Sequence, residues 1–379
     1  MMRKQRLFTP GPTSVPPEVL LAMAAPMTHH RQAAFEEVFV RVSEKLKSVF
    51  QTSSPVVILS GSGTAAMEAA VVNLLSAGDK AISVNGGKFG ERWGLIGKAH
   101  GVEMNVIDIE WGTAVAPARI EEGLKHNPDT KAVFTTLNET STTGLTDVKA
   151  IAEITANTDA VLVVDAVSAV CADELRMDDW GIDVVVAGSQ KALMLPPGLA
   201  FAALGPKARA AMAHSTLPKF YLSFEKALSN LEKKTTPFTP AVSSVIGLDR
   251  SLDMILDEGM EPLWARHRKL AEATRAGVVA MGMALFAQSP SNAATAIKLP
   301  EGFDGGVLHK KLRDEYKVTC AGGQEHLKGR IERIAHMGYY DQFDMLVVLG
   351  AVELALKELG VNVRVGEGVA AAQRYFAGE

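Results

Sequence analysis

Two residues of this 379-residue chain carry the clearest chemical signal. Asp165 closes the apolar run AVLVVDA, and Lys191 stands 26 positions later, after the run IDVVVAG and the polar trio Gly188-Ser189-Gln190. A carboxylate at the end of a buried strand is costly unless a cation pairs with it. Taken alone, such an Asp reads as a helix N-cap or a structural ion pair. A lysine in the same position has a lowered pKa through desolvation, which makes the amine both a nucleophile and a base. Because the two runs are successive strands, both side chains are expected at one sheet edge, facing one cleft. Between VVILS and the helical TAAMEAAVVNLL lies a third signal, Gly61-Ser62-Gly63-Thr64. Glycines admit an anion close to the backbone, and a helix start offers N–H groups to a phosphate. The loop serves either a phosphate or tight packing. It lacks both the GK[ST] of a Walker loop and the third glycine of a dinucleotide fingerprint.

The elements that must position these residues follow from the pattern. From 55 to 204, short Val/Ile-rich runs (VVILS, KAISVN, VEMNVIDI, AVFTTL, AVLVVDA, IDVVVAG, LAFAAL) alternate with segments of helical period. Such alternation predicts βαβ units and a mostly parallel sheet buried on both faces, with ligands at the carboxyl edge of the strands. Beyond Gly205 an irregular stretch leads into a long helical segment over 242–282, in which Pro262 marks a new helix start. TAIKL, VLHKKLRDEY, KVTCA, RIERIA and a final helix through MLVVLGAVELALKEL then read as a small α+β domain. The N-terminal PGPTSVPP is restricted to extended backbone and is expected to form an arm on the surface or in a cleft. The expected division is an arm over 1–16, a large domain over 17–257 and a small domain over 258–379.

Composition narrows the function classes. The chain is 47% hydrophobic and 22% charged, as globular proteins are. Its formal net charge of −4 and the lack of a long basic run argue against nucleic acid or a membrane surface as partner. Cys171 and Cys320 are its two cysteines, with no metal-ligand spacing, so neither a disulfide framework nor a metal site is implied and a reducing cytoplasm fits. No apolar stretch long enough to span a membrane, and no export signal, is expected.

The runs VVDAVSAV and GIDVVVAGSQKALMLPPGLAF, with FTPGPTSVPPEV and SGSGTAAMEAA, resemble the class V aminotransferases, in particular the alanine–glyoxylate and serine–pyruvate aminotransferase group. The resemblance covers essentially the whole chain. It implies the fold type I architecture of pyridoxal-phosphate (PLP) enzymes, a homodimer, and ping-pong transamination. The donor would be a small amino acid such as alanine, serine or aspartate, and the acceptor a 2-oxo acid, glyoxylate or pyruvate.

Residue by residue, Lys191 matches the lysine that holds the cofactor as a Schiff base, and Asp165 the carboxylate that keeps the pyridine nitrogen protonated. Ser62, Gly63, Thr64 and Gln190 match the residues on the cofactor phosphate. Phe89 falls at the aromatic that stacks on the ring, an ordinary core phenylalanine being the alternative, and Val167 at the apolar residue on the other face. Within 138–144, Ser141 is assigned to the loop that hydrogen-bonds the ring. Thr236 and Thr239 fall where the family reaches across the dimer to the phosphate, and Arg333, in RIERIAHMG, at the arginine that grips the substrate α-carboxylate. Arg330 falls on the opposite face of that strand. His29, His30 and Arg31 are expected at the site mouth or on solvated surface. Two rivals remain: a lyase or cysteine desulfurase on the same fold, and an accessory subunit that keeps the fold without turnover. A desulfurase places histidine where Phe89 and Gln190 stand here, and Cys320 has the apolar neighbours of a buried thiol.

Overall fold

The computed structural model of the protein describes residues 4–379, so the first three residues of the expected arm lie outside the described residues. Its centre is a seven-stranded sheet built from the seven apolar runs. Across the sheet the order is Val56–Gly61, Gly198–Leu204, Val184–Gly188, Val161–Asp165, Ala132–Thr136, Lys80–Asn85, Glu103–Asp108. Only Gly198–Leu204 runs antiparallel to its neighbours. The other strands therefore end at one edge, and Asp165 lies level with Thr136 on one side and Val186 on the other.

Alternation along each strand divides the apolar side chains between two layers. Val133, Leu162, Val164 and Val185 pack under the helices Ala33–Phe50, Val148–Thr155 and Val242–Glu258. Their neighbours Phe134, Val161, Val163 and Val184 pack under Gly63–Leu74 and Phe224–Leu231. A sheet covered on both faces needs apolar residues at every position, which is why these strands read as unbroken Val/Ile runs.

The helical segment after 242 breaks at Gly259, whose φ of 85° ends Val242–Glu258, and Met260–Ala280 follows. The new helix thus starts two residues before Pro262, where a missing N–H is still harmless. Beyond it, an antiparallel sheet takes the order Ala284–Leu285, Ala294–Lys298, Ile331–Ala335, Ala321–Gly322. The helix read through MLVVLG, Gln342–Glu358, is not the last one, since Glu367–Ala377 follows and packs on both it and Met260–Ala280.

The N-terminal arm lies in the cleft between the two sheets. Arg6–Leu7 pairs in parallel with Val318–Thr319, Phe8 stacks on Tyr340 at 5.5 Å between ring centres, and the chain then crosses to the large sheet. There, Thr13 bonds the backbone carbonyls of Gln190 and Lys191. Proline-restricted backbone suits this bridging course, because it spans the gap with little conformational entropy to lose.

Candidate active site

Five segments that follow strands of the large sheet meet at its carboxyl edge: 61–64, 86–92, 137–144, 165–168 and 188–191. Each follows a strand whose apolar residues end at the core boundary, so its polar residues emerge together. Asp165, the last residue of its strand, is buried, and its Oδ1 accepts one hydrogen bond, from the backbone N–H of Val167 at 2.8 Å. Burial pushes its carboxyl up to about 7; the Val167 N–H pulls down, the charge of Glu139 pushes up, and Arg92 and Lys191 pull down. Lys191, also buried, gives a 2.5 Å hydrogen bond from Nζ to the carbonyl of Pro10 in the arm. Burial brings its amine down to about 8; Asp165 opposes this, and the cations Arg333 and Arg92 assist it. The site thus places an amine and a carboxyl that both titrate near neutrality within range of each other's charge.

The arm packs against this lysine so closely that a Cβ at Gly11 would lie 2.3 Å from Nζ. With a φ of 134°, Gly11 also adopts a backbone conformation that other residues rarely reach.

Arg333 enters from the other sheet. It is buried, with Nη1 bonded to Thr140 O at 2.6 Å and Nε and Nη2 bonded to Gly322 O at 3.2 and 2.7 Å. It therefore ties the 137–144 loop of the large sheet to the Ala321–Gly322 strand of the small one. Arg330 is exposed and precedes the strand.

Ser62 is the exposed N-cap of Gly63–Leu74, with its side chain not bonded to the helix; Gly63 is buried and Thr64 is half-buried. A Cβ at Gly63 would meet Val167 Cγ2 at 2.6 Å, so the glycine loop and the residue after Asp165 pack face to face. Gln190 Oε1 is buried and lacks a hydrogen-bond partner. Phe89 is half-buried with the guanidinium of Arg92 4.8 Å above its ring, and Arg92 Nη1 bonds Thr64 Oγ1 at 3.1 Å. Ser141 is fully buried, its hydroxyl bonded to Glu139 Oε1 at 2.5 Å and accepting the N–H of Lys88 at 3.0 Å.

Thr236 and Thr239 are not brought into this group of loops. Thr236 is buried and bonds Phe238 O in its own segment, while Thr239 is exposed. His29 and Arg31 are exposed and His30 is half-buried, and Arg31 bonds Thr235. Cys171 and Cys320 are both buried, and burial pushes both thiols up, away from the range of a reactive thiolate.

Sequence reasoning gave no role to Glu139, Arg92 or the Pro10 carbonyl. Glu139 had a signal, being the one charge in AVFTTLNETSTTGLT, and Arg92 stands one helical turn after Phe89. Pro10 had none, because a backbone carbonyl carries no sequence mark.

These residues fit the cofactor that the resemblance implies. A buried amine near its switching point, a carboxyl with a single bonded donor, and an orphaned Gln190 oxygen beside a glycine loop at a helix start are groups awaiting polar partners.

Comparison with known proteins agrees. A family model described as aminotransferase class-V matches residues 6–340. The chain is 41% identical to a protein named soluble hydrogenase, small subunit, from Synechococcus sp. (strain PCC 6716), over 100% of both chains. It is 37% identical to a serine–glyoxylate aminotransferase of Hyphomicrobium methylovorum, over 98% of this chain and 94% of that one. The crystal structure of pyridoxamine–pyruvate aminotransferase from Mesorhizobium loti superposes with a TM-score of 0.95 at 30% identity, covering 100% of this chain and 98% of the other.

Proposed function

We propose that this chain, which belongs to the class V aminotransferase family, moves the amino group of a small amino acid (serine, alanine or aspartate) to glyoxylate or pyruvate. It is a PLP-dependent transaminase of fold type I. The observation that carries the substrate reading is the convergence of Lys191 and Asp165, at the ends of adjacent strands, with Arg333 from the other sheet. Glyoxylate and serine are named for the Hyphomicrobium relative and pyruvate for the Mesorhizobium one.

When bound, PLP withdraws electrons from the carbon bearing the amino group and makes its proton removable. In our reading the residues divide the remaining work. Lys191 anchors the cofactor and, once freed, moves that proton with an amine that is partly neutral near pH 8. Asp165 holds a proton at the pyridine nitrogen. Phe89 and Val167 flank the ring, and Ser62, Gly63, Thr64 and Gln190 hold the phosphate. Arg333 holds the substrate carboxylate by a fork of parallel N–H groups. Ser141 works through Glu139 and the Lys88 N–H, to which its hydroxyl is bonded.

We also propose a homodimer, in which Thr236 and Thr239 serve the phosphate of a second copy. Large apolar residues exposed at Leu21, Met27 and Phe220 support it. A division into an arm (1–16), a large domain (17–257) and a small domain (258–379) fits the two sheets, with the arm between them. A cytoplasmic location fits two free buried thiols. Among the described residues no helix is long and apolar enough to cross a membrane.

An accessory subunit without turnover is favoured by the names of the Synechococcus relative and of a soluble hydrogenase 42 kDa subunit from Anabaena cylindrica, 39% identical over 99% of both chains, and the presence of Lys191, Asp165 and Arg333 together weighs against it. The test is a half-reaction. Serine, alanine or aspartate, added without acceptor to the PLP-loaded protein, should convert the visible band of the bound cofactor, and glyoxylate or pyruvate should restore it. A band that none of these amino acids changes would refute the substrate assignment.

A further inference from the structure

We infer that Glu139 is a positioning residue for the cofactor: its carboxylate ties the helix start that carries Phe89 to the loop that carries Ser141, and so sets the plane of the stacking ring. This rests on the reading of Phe89 and Asp165 given above. Helix Lys88–Ala99 begins after Gly87, which has no side chain with which to cap it. The cap comes instead from a residue some fifty positions away. Glu139 Oε2 accepts the N–H of Phe89 at 3.1 Å and of Gly90 at 2.8 Å, and Oε1 accepts the N–H and the hydroxyl of Ser141 at 3.1 and 2.5 Å. The Ser141 oxygen in turn accepts the N–H of Lys88 at 3.0 Å. Three successive N–H groups of the first turn thus end on one carboxylate and the hydroxyl bonded to it.

The approach is close enough to demand glycine at 87, where a Cβ would lie 2.3 Å from Ser141 Oγ and 2.4 Å from Glu139 Cδ. Burial pushes the Glu139 carboxyl up, and its bonded partners, all neutral donors, oppose that push and suit the ionised, acceptor-only form. When ionised, Glu139 pushes the Asp165 carboxyl up and supports the cation at Arg333 against the effect of burial.

The test uses Glu139→Gln in the full chain. An amide keeps the shape but leaves one oxygen's donors facing an NH2 group. Loss of an acceptor for a buried donor predicts affinity of the apoprotein for PLP, read by tryptophan fluorescence quenching, about 10- to 100-fold weaker than wild type. The visible circular dichroism of the bound cofactor, which reports ring orientation, should fall more than its absorbance does. Glu139→Asp, which restores the charge without the reach, should recover part of the affinity. Ser141→Ala, which removes one donor, should shift both readouts the same way by less. Wild-type affinity and dichroism in Glu139→Gln overturn the inference alone, and should that variant not fold, unchanged values in Ser141→Ala overturn it equally. A wild-type protein that takes up no PLP overturns the reading of the site, and this inference with it.

Discussion

On the large sheet, Asp165 accepts one hydrogen bond, from Val167, and Lys191 gives one, to Pro10; on the small sheet, Arg333 gives three, to Gly322 and Thr140. All three side chains are buried. The floor of the site thus holds groups with few partners, whose protonation switches close to pH 7 and 8, while the wall holds a cation tied in place by carbonyls. The contrast follows from chemistry. A group that must gain and lose a proton cannot be surrounded by donors and acceptors that favour one form, whereas a guanidinium does not give up its proton in proteins and gains only orientation from its bonds. Burial lowers Arg333 as well, without changing that outcome.

The comparison breaks most visibly at the floor. Lys191→Ala should leave the protein folded and without measurable turnover, a loss of at least roughly 10,000-fold, since in the proposed reading one amine acts both as covalent anchor and as proton carrier. Residual activity well above that, in a variant shown by mass to be intact, would place the reacting amine on another lysine. The wall should fail differently. In the proposed reading Arg333→Ala removes one side of a desolvated charge pair, which costs roughly 2–5 kcal/mol, or about 30- to several-thousand-fold in kcat/KM, with the cofactor band unchanged. Arg333→Lys should recover only part of this, because a point charge replaces the fork. Arg330→Ala, at an exposed residue before the strand, should cost little. If the two alanine variants behave in the reverse order, the wall is held by the wrong arginine.

Much of the floor was legible in the sequence because its logic is local. A strand buried on both faces reads as a Val/Ile run, and the first polar residues after the run lie at the sheet edge, which identifies Asp165 and Lys191 without knowledge of strand order. Alternation does not separate Arg330 from Arg333 as expected, because Arg330 lies before the strand Ile331–Ala335, whose five residues are all buried. What escaped depends on contacts between distant segments. Glu139 stands out as the one charge in AVFTTLNETSTTGLT, but its partner, the first turn of Lys88–Ala99, lies some fifty positions away and carries no mark of the contact. The arm's course was open between surface and cleft, because a proline-rich stretch fixes its own backbone but not what it packs against. Helix Glu367–Ala377 begins at the glycines of VGEG, which read as a chain end, and its packing on Met260–Ala280 and Gln342–Glu358 joins segments distant in sequence.

The smallest effect sharpens the same contrast without any substrate. In the apoprotein Asp165 has its carboxyl at about 7, against about 4 in an unfolded chain. The folded form therefore keeps the proton to higher pH than the unfolded form does. The resulting stability is fully present below about pH 4 and is lost as pH rises through about 7. Asparagine imitates the protonated acid and has no such dependence. Apo Asp165→Asn should lie closest to the wild type near pH 4 and exceed it near pH 7.5. The ceiling is about 4 kcal/mol for a difference of roughly three pKa units, reduced by any relaxation around the charge. Asp173, also raised to about 7 by burial, is common to both proteins and cancels, and the lowered Lys191 exerts its effect above about pH 8, outside the window. Denaturant midpoints of the two apoproteins at the two pH values decide the matter. A gap that does not grow with pH would mean that Asp165 is already well satisfied in the empty site, like Arg333 on the wall, and the distinction between the two regions would lose its physical basis.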